Sequence, residues 1–266
     1  MLECVVNVSE GRRASVLDAL AAAAGSDLLD LHADPFHHRS VLTLVGDEAP
    51  RRVAAAAVRL VDLRRHSGAH PRLGAVDVVP FVGDDAVGAR DAFIGWAISS
   101  LHLPALPYGP GGPSLPEVRR SARARLGRAV HPTAGAVAVG ARDVLVAYNL
   151  VLADADLALA RRVAGAVRGP VVRALGLAVG SEVQVSLNLV DPATVGPADA
   201  WDAVSALTTV ARAELVGLVP RSVLDAVPED RWERLDLSPD RTIEARLTRS
   251  GRVQPPQGWP SAPRTP

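Results

Sequence analysis

One order of hydrophobic patterns occurs twice along this chain, and it limits the fold more than any other feature. Strand, helix, strand, strand, helix and strand patterns follow one another in the first half and again in the second. The predicted strands cover residues 2–8, 27–33, 39–47 and 75–83, and then 142–152, 171–180, 182–191 and the stretch near 213–220. The order βαββαβ is typical of a ferredoxin-like unit. We therefore predict an α/β protein of the α+β type, built from two tandem ferredoxin-like βαββαβ subdomains.

The segment between the two patterns, residues 108–135, begins with a run rich in proline and glycine. Such a run predicts an irregular connection. We expect an N-terminal subdomain at 1–125 and a C-terminal subdomain at 126–249. The remaining residues, 250–266, are rich in proline and predict a disordered tail.

Composition excludes several classes of function. The 29 basic residues balance the 29 acidic ones, so no basic face for nucleic acid is expected. All basic residues are arginine, which rules out mechanisms that need a lysine. Cys4 is the single cysteine and cannot form an internal disulfide. The start of the chain has no cationic leader and no long apolar run occurs, so we expect a cytoplasmic protein without a membrane partner.

Polar residues are concentrated in four short clusters next to predicted strands. The clusters are "NVSEG" (7–11), "HADPFHHRS" (32–40), "HSGAHPR" (66–72) and "HPTAG" (131–135), and they hold six of the seven histidines. Each histidine on its own has a structural explanation, such as a cap or a turn. Together they favour chemistry based on imidazole groups.

Metal and nucleotide sites are less well supported by these clusters. His66 and His70 have a zinc-like spacing, but Gly68 and Pro71 place His70 in a loop, and neighbouring His37 and His38 should point apart. No glycine-rich nucleotide motif and no serine-hydrolase motif occurs. We therefore predict no metal ion, and a histidine that works as a general acid and base.

Five segments carry a resemblance to a known family. They are "ECVVNVSEG", "DPFHHRSVLTLVGD", "HSGAHPRLGAVDVVPFV", "HPTAGAVAVGARDVLVAYNL" and "AELVGLVP". In this order they resemble the signature segments of glutamate formiminotransferases, and they span most of residues 2–225. The most specific parts are "HPRLGAVDV", which starts at His70, and "HPTAGAVAVGAR", which starts at His131.

The resemblance implies both an activity and a site. Members of the family transfer a formimino group from N-formiminoglutamate to tetrahydrofolate, a co-substrate, in histidine degradation. Their two subdomains enclose a ligand groove, and their catalytic histidine corresponds to His70. Small-molecule substrates are thus the expected partners, and a homodimer would suit the family.

The residues themselves suggest how the chemistry is shared. One imidazole with a pKa near 6.5 can take a proton from the attacking nitrogen and return it to the leaving nitrogen. We expect Asp34 to fix the tautomer of His70. Both substrates carry carboxylates, and Arg39 and Arg72, interpreted as exposed loop arginines, are suited to bind them. The expected binding set is completed by His37, His131, Gly135 and Asn7.

The chain also departs from the family pattern. Ala69 replaces a glutamate that usually precedes the catalytic histidine, and His38 replaces a frequent asparagine. The stretch between Gly83 and His131 is short, and in the family that region contributes to the folate side of the groove. Two alternatives therefore stay open: a divergent homologue that binds folate or another ligand without catalysis, and transfer of a related one-carbon unit such as formyl.

Overall fold

The structure is a computed structural model that describes residues 1–68, 70–127 and 129–251. Most of the predicted proline-rich tail, residues 252–266, lies outside the described residues. Among the described residues, no helix has the length and apolar character needed to cross a bilayer.

The first sheet has six strands and contains the predicted βαββαβ unit. Its elements in chain order are β1 Leu2–Val8, α1 Ala14–Ala24, β2 Leu28–Asp34, β3 Arg39–Val45, α2 Glu48–Leu60, β4 Val76–Gly83, α3 Ala86–Leu101, β5 Ala105–Tyr108, α4 Leu115–Leu126 and β6 Val137–Ala141. The strand order is β2-β3-β1-β4-β6-β5. Strand β1 is antiparallel to β3 and β4, whereas β6 is parallel to β4 and β5. The first four positions are the ferredoxin-like arrangement, extended by two further strands.

The second sheet repeats the arrangement with four strands. Its elements are β7 Val146–Leu152, α5 Leu157–Val167, β8 Val172–Val179, β9 Glu182–Leu189, α6 Pro197–Ser205 and β10 Val210–Val216, followed by α7 Arg221–Asp225 and α8 Ile243–Arg249. The order β10-β7-β9-β8 has only antiparallel pairs. The predicted class, two tandem ferredoxin-like units, is confirmed.

The proline- and glycine-rich first part of segment 108–135 has no helix or strand at residues 109–114, as predicted, but it is followed by α4, which was not predicted. The backbone N–H and the hydroxyl of Ser114 both donate to Glu117, at 2.8 and 2.6 Å. A serine followed three residues later by glutamate is a helix-start signal, and it is visible in the sequence. Strand β6 then joins the first sheet, so the change of sheet falls between Ala141 and Val146. The predicted subdomain boundary at 125/126 remains a prediction.

Helices α1, α2 and α3 pack on one face of the first sheet, whereas α4 packs its Val118 and Ala122 against Val78 and Ala138 on the opposite face. The two halves also meet on that opposite face. Leu29 of β2 lies in an apolar cluster with Leu218, Ile243 and Leu247 from the second half. The same side of β2 carries His32, whose Nε2 lies 3.4 Å from a carboxylate oxygen of Glu214 on β10. Strand β2 thus links its own sheet to the second half.

Close packing at Gly11 holds the β2–β3 hairpin against the end of β1. A Cβ atom at this position would lie 2.2 Å from the Asp34 carbonyl oxygen and 2.7 Å from the Arg39 backbone nitrogen. Both neighbours are backbone atoms, so neither can move aside without shifting the chain. The sequence needs a glycine at this position because of this approach.

We expect Gly11→Ala to lower the free energy of unfolding by about 1–3 kcal/mol, the usual cost of overpacking. Gly95→Ala is the matched control, because a Cβ atom at Gly95 of α3 meets no atom within 4 Å. The control should raise stability, since alanine is the better helix former by up to about 1 kcal/mol. Urea unfolding of both variants measures the difference, and equal effects would refute the packing argument.

Candidate functional site

His70 lies on a loop between α2 and β4, whose described residues 66–68 and 70–75 we call the His70 loop. The "HPTAG" segment braces the chain just before this loop and at its end through backbone hydrogen bonds. Leu63 N–H donates to the Thr133 carbonyl at 2.8 Å, and Ala75 N–H donates to the Ala134 carbonyl at 2.8 Å. The structure confirms that His66 and His70 do not share a helical face.

Two predicted binding residues, His131 and Gly135, belong to this brace. The Ala134 N–H donates to Nδ1 of His131 at 3.0 Å, so the ring caps its own turn. Gly135 has a φ of 69°, and a Cβ atom there would lie 2.4 Å from the Leu73 carbonyl oxygen. The structure therefore gives both residues a supporting role beneath the His70 loop.

The protonation state of His70 follows from its neighbours. Its Nδ1 lies 2.6 Å from the Pro71 carbonyl oxygen, which can only accept, so Nδ1 carries the proton. The Arg39 Nη1 atom, 3.4 Å from the same nitrogen, is also a donor, and the shorter contact decides the tautomer. Burial and the nearby Arg39 charge lower the pKa of His70 to about 3. At neutral pH the ring is uncharged and Nε2 is its basic nitrogen.

Asp77 accepts hydrogen bonds from three groups close to His70. Its carboxylate is fully buried in β4 and accepts from Arg39 Nη1 at 2.5 Å, from Arg119 Nη2 at 2.6 Å and from the Leu73 N–H at 2.7 Å. Burial opposes ionisation, but the two arginines outweigh it and hold the pKa of Asp77 below its usual value. Two guanidinium groups against one carboxylate leave an excess positive charge beside His70.

Arg39 is not the exposed loop arginine that the sequence suggested. Its side chain is only 13% exposed and belongs to the start of β3. Besides Asp77 it binds Asn7, whose Oδ1 accepts from Arg39 Nε at 3.2 Å and from Nη2 at 2.8 Å. Asn7 thus orients Arg39.

Asp34 pairs with His37, and the expectation that it fixes the tautomer of His70 is not met. His37 Nδ1 donates to Asp34 at 2.5 Å, and the Phe36 and His37 N–H groups donate to its other oxygen at 2.7 and 2.9 Å. Although burial opposes ionisation, these bonds lower the pKa of Asp34 to about 2. The His37 ring lies edge-on to His70 at 6.2 Å between centroids. The Pro71 carbonyl has the role that we assigned to Asp34.

Arg72 binds the protein's own backbone, which differs from its predicted role as a clamp for substrate carboxylates. Its Nη2 donates to the carbonyl oxygens of Gly68 and His70 at 2.5 and 3.1 Å. Its Nη1 donates to His66 Nδ1 at 2.5 Å. Binding a substrate would require Arg72 to give up contacts that shape the His70 loop.

Sequence reasoning missed three charged residues at this site. Asp77 could have been found, because a carboxylate inside the apolar run "AVDVVPF" must be paired when buried. Arg119 follows the proline- and glycine-rich run, where no helix was predicted, so nothing suggested the direction of its side chain. Glu10 is fully buried and accepts the backbone N–H groups at the start of α1. Those bonds, chiefly from Arg13 and Arg12, outweigh burial and lower the pKa of Glu10 to about 2.

A second polar contact lies where the halves meet. Glu214 faces His32 and also accepts from Asn149 Nδ2 at 3.0 Å. The His32 and Asn149 hydrogen bonds lower the pKa of Glu214 despite its burial. This contact joins β2 of the first sheet to β10 of the second.

Two other kinds of site, a metal centre and a surface hollow, are less well supported than the region around His70. Within the described parts of the chain, no group of three or more His, Cys, Asp or Glu side chains is arranged to hold a metal ion. A shallow hollow of about 500 Å³ is lined mainly by Tyr108 and a proline- and glycine-rich turn. Its charged pair, Arg90 and Asp91, is a surface ion pair without an acid–base partner.

Comparison with known proteins agrees with this architecture. The family described as "Formiminotransferase domain, N-terminal subdomain" matches residues 1–93. A glutamate formimidoyltransferase of Streptococcus pyogenes serotype M1 is 33% identical over 233 residues, which cover 72% of this chain and 78% of the relative. One of Thermoplasma acidophilum is 30% identical, with coverage of 84% and 89%. A formimidoyltransferase-cyclodeaminase of Sus scrofa is 32% identical over 85% of this chain, which spans about half (51%) of that relative.

Two ferredoxin-like halves, with a neutral histidine on a braced loop of the first, define an α/β protein of the α+β type. The chain belongs to the formiminotransferase family, and it is a transferase. The resemblance of its five segments is confirmed.

We expect Arg39→Ala to destabilise the protein by on the order of 3 kcal/mol, because Asp77 loses one of its two buried cationic partners. The exposed Arg123 on α4 supplies the control, since Arg123→Ala should change stability by less than about 0.5 kcal/mol. Chemical denaturation measures both. Equal stability of the two variants would show that Asp77 does not depend on Arg39.

His70 should also make stability depend on pH. An unfolded histidine binds a proton near pH 6.5, whereas the pKa of folded His70 is about 3. Between these values the unfolded state holds more protons, so stability falls as the pH falls. In His70→Gln the slope between pH 6.5 and pH 5 should be shallower, by up to about 1.4 kcal/mol per pH unit. Urea unfolding of both proteins in that window measures the two slopes, and the carboxylates contribute equally to each. Parallel slopes for wild type and His70→Gln would contradict the burial of a neutral ring.

Proposed function

We propose that this protein transfers a formimino group from N-formiminoglutamate to tetrahydrofolate, with His70 as general acid and base. The observation that carries the proposal is the tautomer of His70. The Pro71 carbonyl holds the proton on Nδ1, so the basic nitrogen is Nε2. The glutamate formimidoyltransferases among the relatives support the choice of donor.

The reaction needs one proton to move between two nitrogens. N5 of tetrahydrofolate attacks the amidine carbon of the donor and forms a new C–N bond. Nε2 of His70 takes the proton from N5, and the imidazolium then gives it to the glutamate nitrogen. The C–N bond to glutamate breaks, which leaves glutamate and the N5-formimino product. One neutral imidazole therefore serves both steps without a metal ion.

The charge around His70 favours substrates with carboxylates. Arg39 and Arg119 outnumber Asp77, and the excess positive charge lies beside the base. Both proposed substrates are anionic. A carboxylate near Arg39 would offset the charge that keeps the pKa of His70 low, and would help the ring to hold the proton during the reaction.

We place substrate binding beside His70, on the face of the first sheet that the second half contacts. Asp34 acts through His37, whose ring lies edge-on to His70. Asn7 and Arg39 line the same region from β1 and β3. His131, Gly135 and Arg72 take part by supporting the His70 loop. Histidine degradation and a cytoplasmic location remain predictions.

We expect His70→Ala to lower formimino transfer by roughly 10²–10⁴-fold, the usual contribution of one acid–base group. The measurement is turnover with N-formiminoglutamate and tetrahydrofolate at pH 7.5, with the unfolding midpoint recorded for each sample. His102→Ala is the control, because His102 is exposed at the end of α3. Tetrahydrofolate binding should remain in both variants.

Assays of the wild-type protein distinguish the proposal from its alternatives. Turnover with formiminoglutamate and tetrahydrofolate supports the proposal. Folate binding without turnover would favour a divergent binding protein, and turnover with only a formyl donor would favour a related one-carbon transfer. Full activity of His70→Ala per folded molecule would remove His70 from the chemistry.

A further inference from the structure

We propose that Arg72, His66 and His38 are positioning residues that hold the backbone of the His70 loop, and so fix the direction of the His70 ring. The inference rests on the proposed role of His70 as the base. It gives a role in the reaction to two histidines outside the predicted catalytic and binding set.

Arg72 is the first member of this group, and it contacts the loop at three points. Its guanidinium donates to the Gly68 carbonyl at 2.5 Å, to the His70 carbonyl at 3.1 Å and to the His66 ring at 2.5 Å. A planar guanidinium presents its donors in fixed directions. The position of the His70 carbonyl therefore depends on where Arg72 is held.

His66 holds Arg72 in a direction that only its neutral form allows. Its Nδ1 accepts from Arg72, and its Nε2–H donates to the His38 carbonyl at 3.3 Å. A doubly protonated ring would place a proton between Nδ1 and Arg72. Burial, with the nearby His38 and Arg72, lowers the pKa of His66 to about 4, which agrees with the neutral ring.

His38 supports His66 from the neighbouring hairpin. The two rings stack with centroids 3.9 Å apart and planes 14° from parallel. Both ring nitrogens of His38 face acceptors, the Ser67 carbonyl at 2.8 Å and the Glu10 carboxylate at 3.0 Å. His38 therefore contacts the His70 loop through Ser67 and the start of α1 through Glu10, while its ring packs flat against His66.

The backbone at His38 indicates that these contacts are specific. Its φ is 52°, in the left-handed region, where asparagine and glycine are more usual than histidine. Gly68 of the loop lies so close that a Cβ atom there would be 2.7 Å from the His37 carbonyl oxygen. The turn between β2 and β3 is thus packed against the His70 loop, and the His38 side chain contacts both.

This series of contacts begins at Glu10. Its carboxylate is fully buried and accepts the Arg12 and Arg13 N–H groups at the start of α1, so its position does not depend on the His70 loop. From Glu10 the contacts lead through His38, His66 and Arg72 to the carbonyl of His70. Because a misplacement of about 1 Å can cost up to about 10²-fold in rate, the position of that carbonyl bears on the reaction.

The test compares His66→Leu and His38→Gly with the control His102→Gly. Glycine adopts the left-handed backbone found at both His38 and His102, but it has no ring to stack on His66 or to reach Glu10. We expect kcat to fall by up to roughly 10²-fold in both variants, with KM and the unfolding midpoint near wild-type values. His66→Asn, which returns an acceptor near the position of Nδ1, should recover part of the rate. The control should match wild type.

NMR of nitrogen-labelled histidine separates this inference from the proposed function, because it needs no turnover. In wild type, His70 should show the tautomer with the proton on Nδ1, and in His66→Leu a mixture of tautomers. That change supports the inference even if the wild-type protein does not use formiminoglutamate. An unchanged His70 signal in both variants would overturn it, as would a loss of stability with full activity per folded molecule.

Discussion

The buried carboxylate of Asp77 is the interaction on which the site depends. It accepts from Arg39 on β3, from Arg119 on α4 and from the backbone of the His70 loop. A charge in the middle of a buried strand is tolerated only when it is paired and hydrogen-bonded. Asp77 meets this requirement with groups from three separate elements, so their relative positions are set by one side chain.

The same pairing contributes to the protonation state of His70. Burial is the larger cause of its low pKa, and the charge of Arg39, 3.4 Å from Nδ1, adds to it, so that the pKa falls to about 3. The arginine that pairs with the core carboxylate thus helps to keep the histidine neutral. Stability and the protonation state of His70 both depend on Arg39, and a variant there should alter both.

Sequence periodicity was sufficient for the fold but not for the directions of the polar side chains. Both βαββαβ units follow from apolar spacing, since each strand and helix buries one side. Helix α4 was missed because the proline- and glycine-rich run outweighed the capping signal at Ser114. The Asp34 assignment failed for another reason. An aspartate three residues before a histidine can close its own turn, and this local bond to His37 prevailed over a distant one to His70.

The other side-chain pairs of the site could not be predicted, because they join residues that are distant in sequence. The Glu10–His38 and Asp77–Arg119 pairs are separated by 28 and 42 positions, and each needs the folded sheet to bring its members together. The polar clusters were recognised as one region, yet their members divide between two tasks. In the proposed function His70 exchanges protons, whereas Arg72 and His131 hold its loop. For such a proposed base, a loop rich in histidine, glycine and proline beside a buried strand gives a fixed position, because the neighbouring groups supply the rigidity that a bare turn lacks.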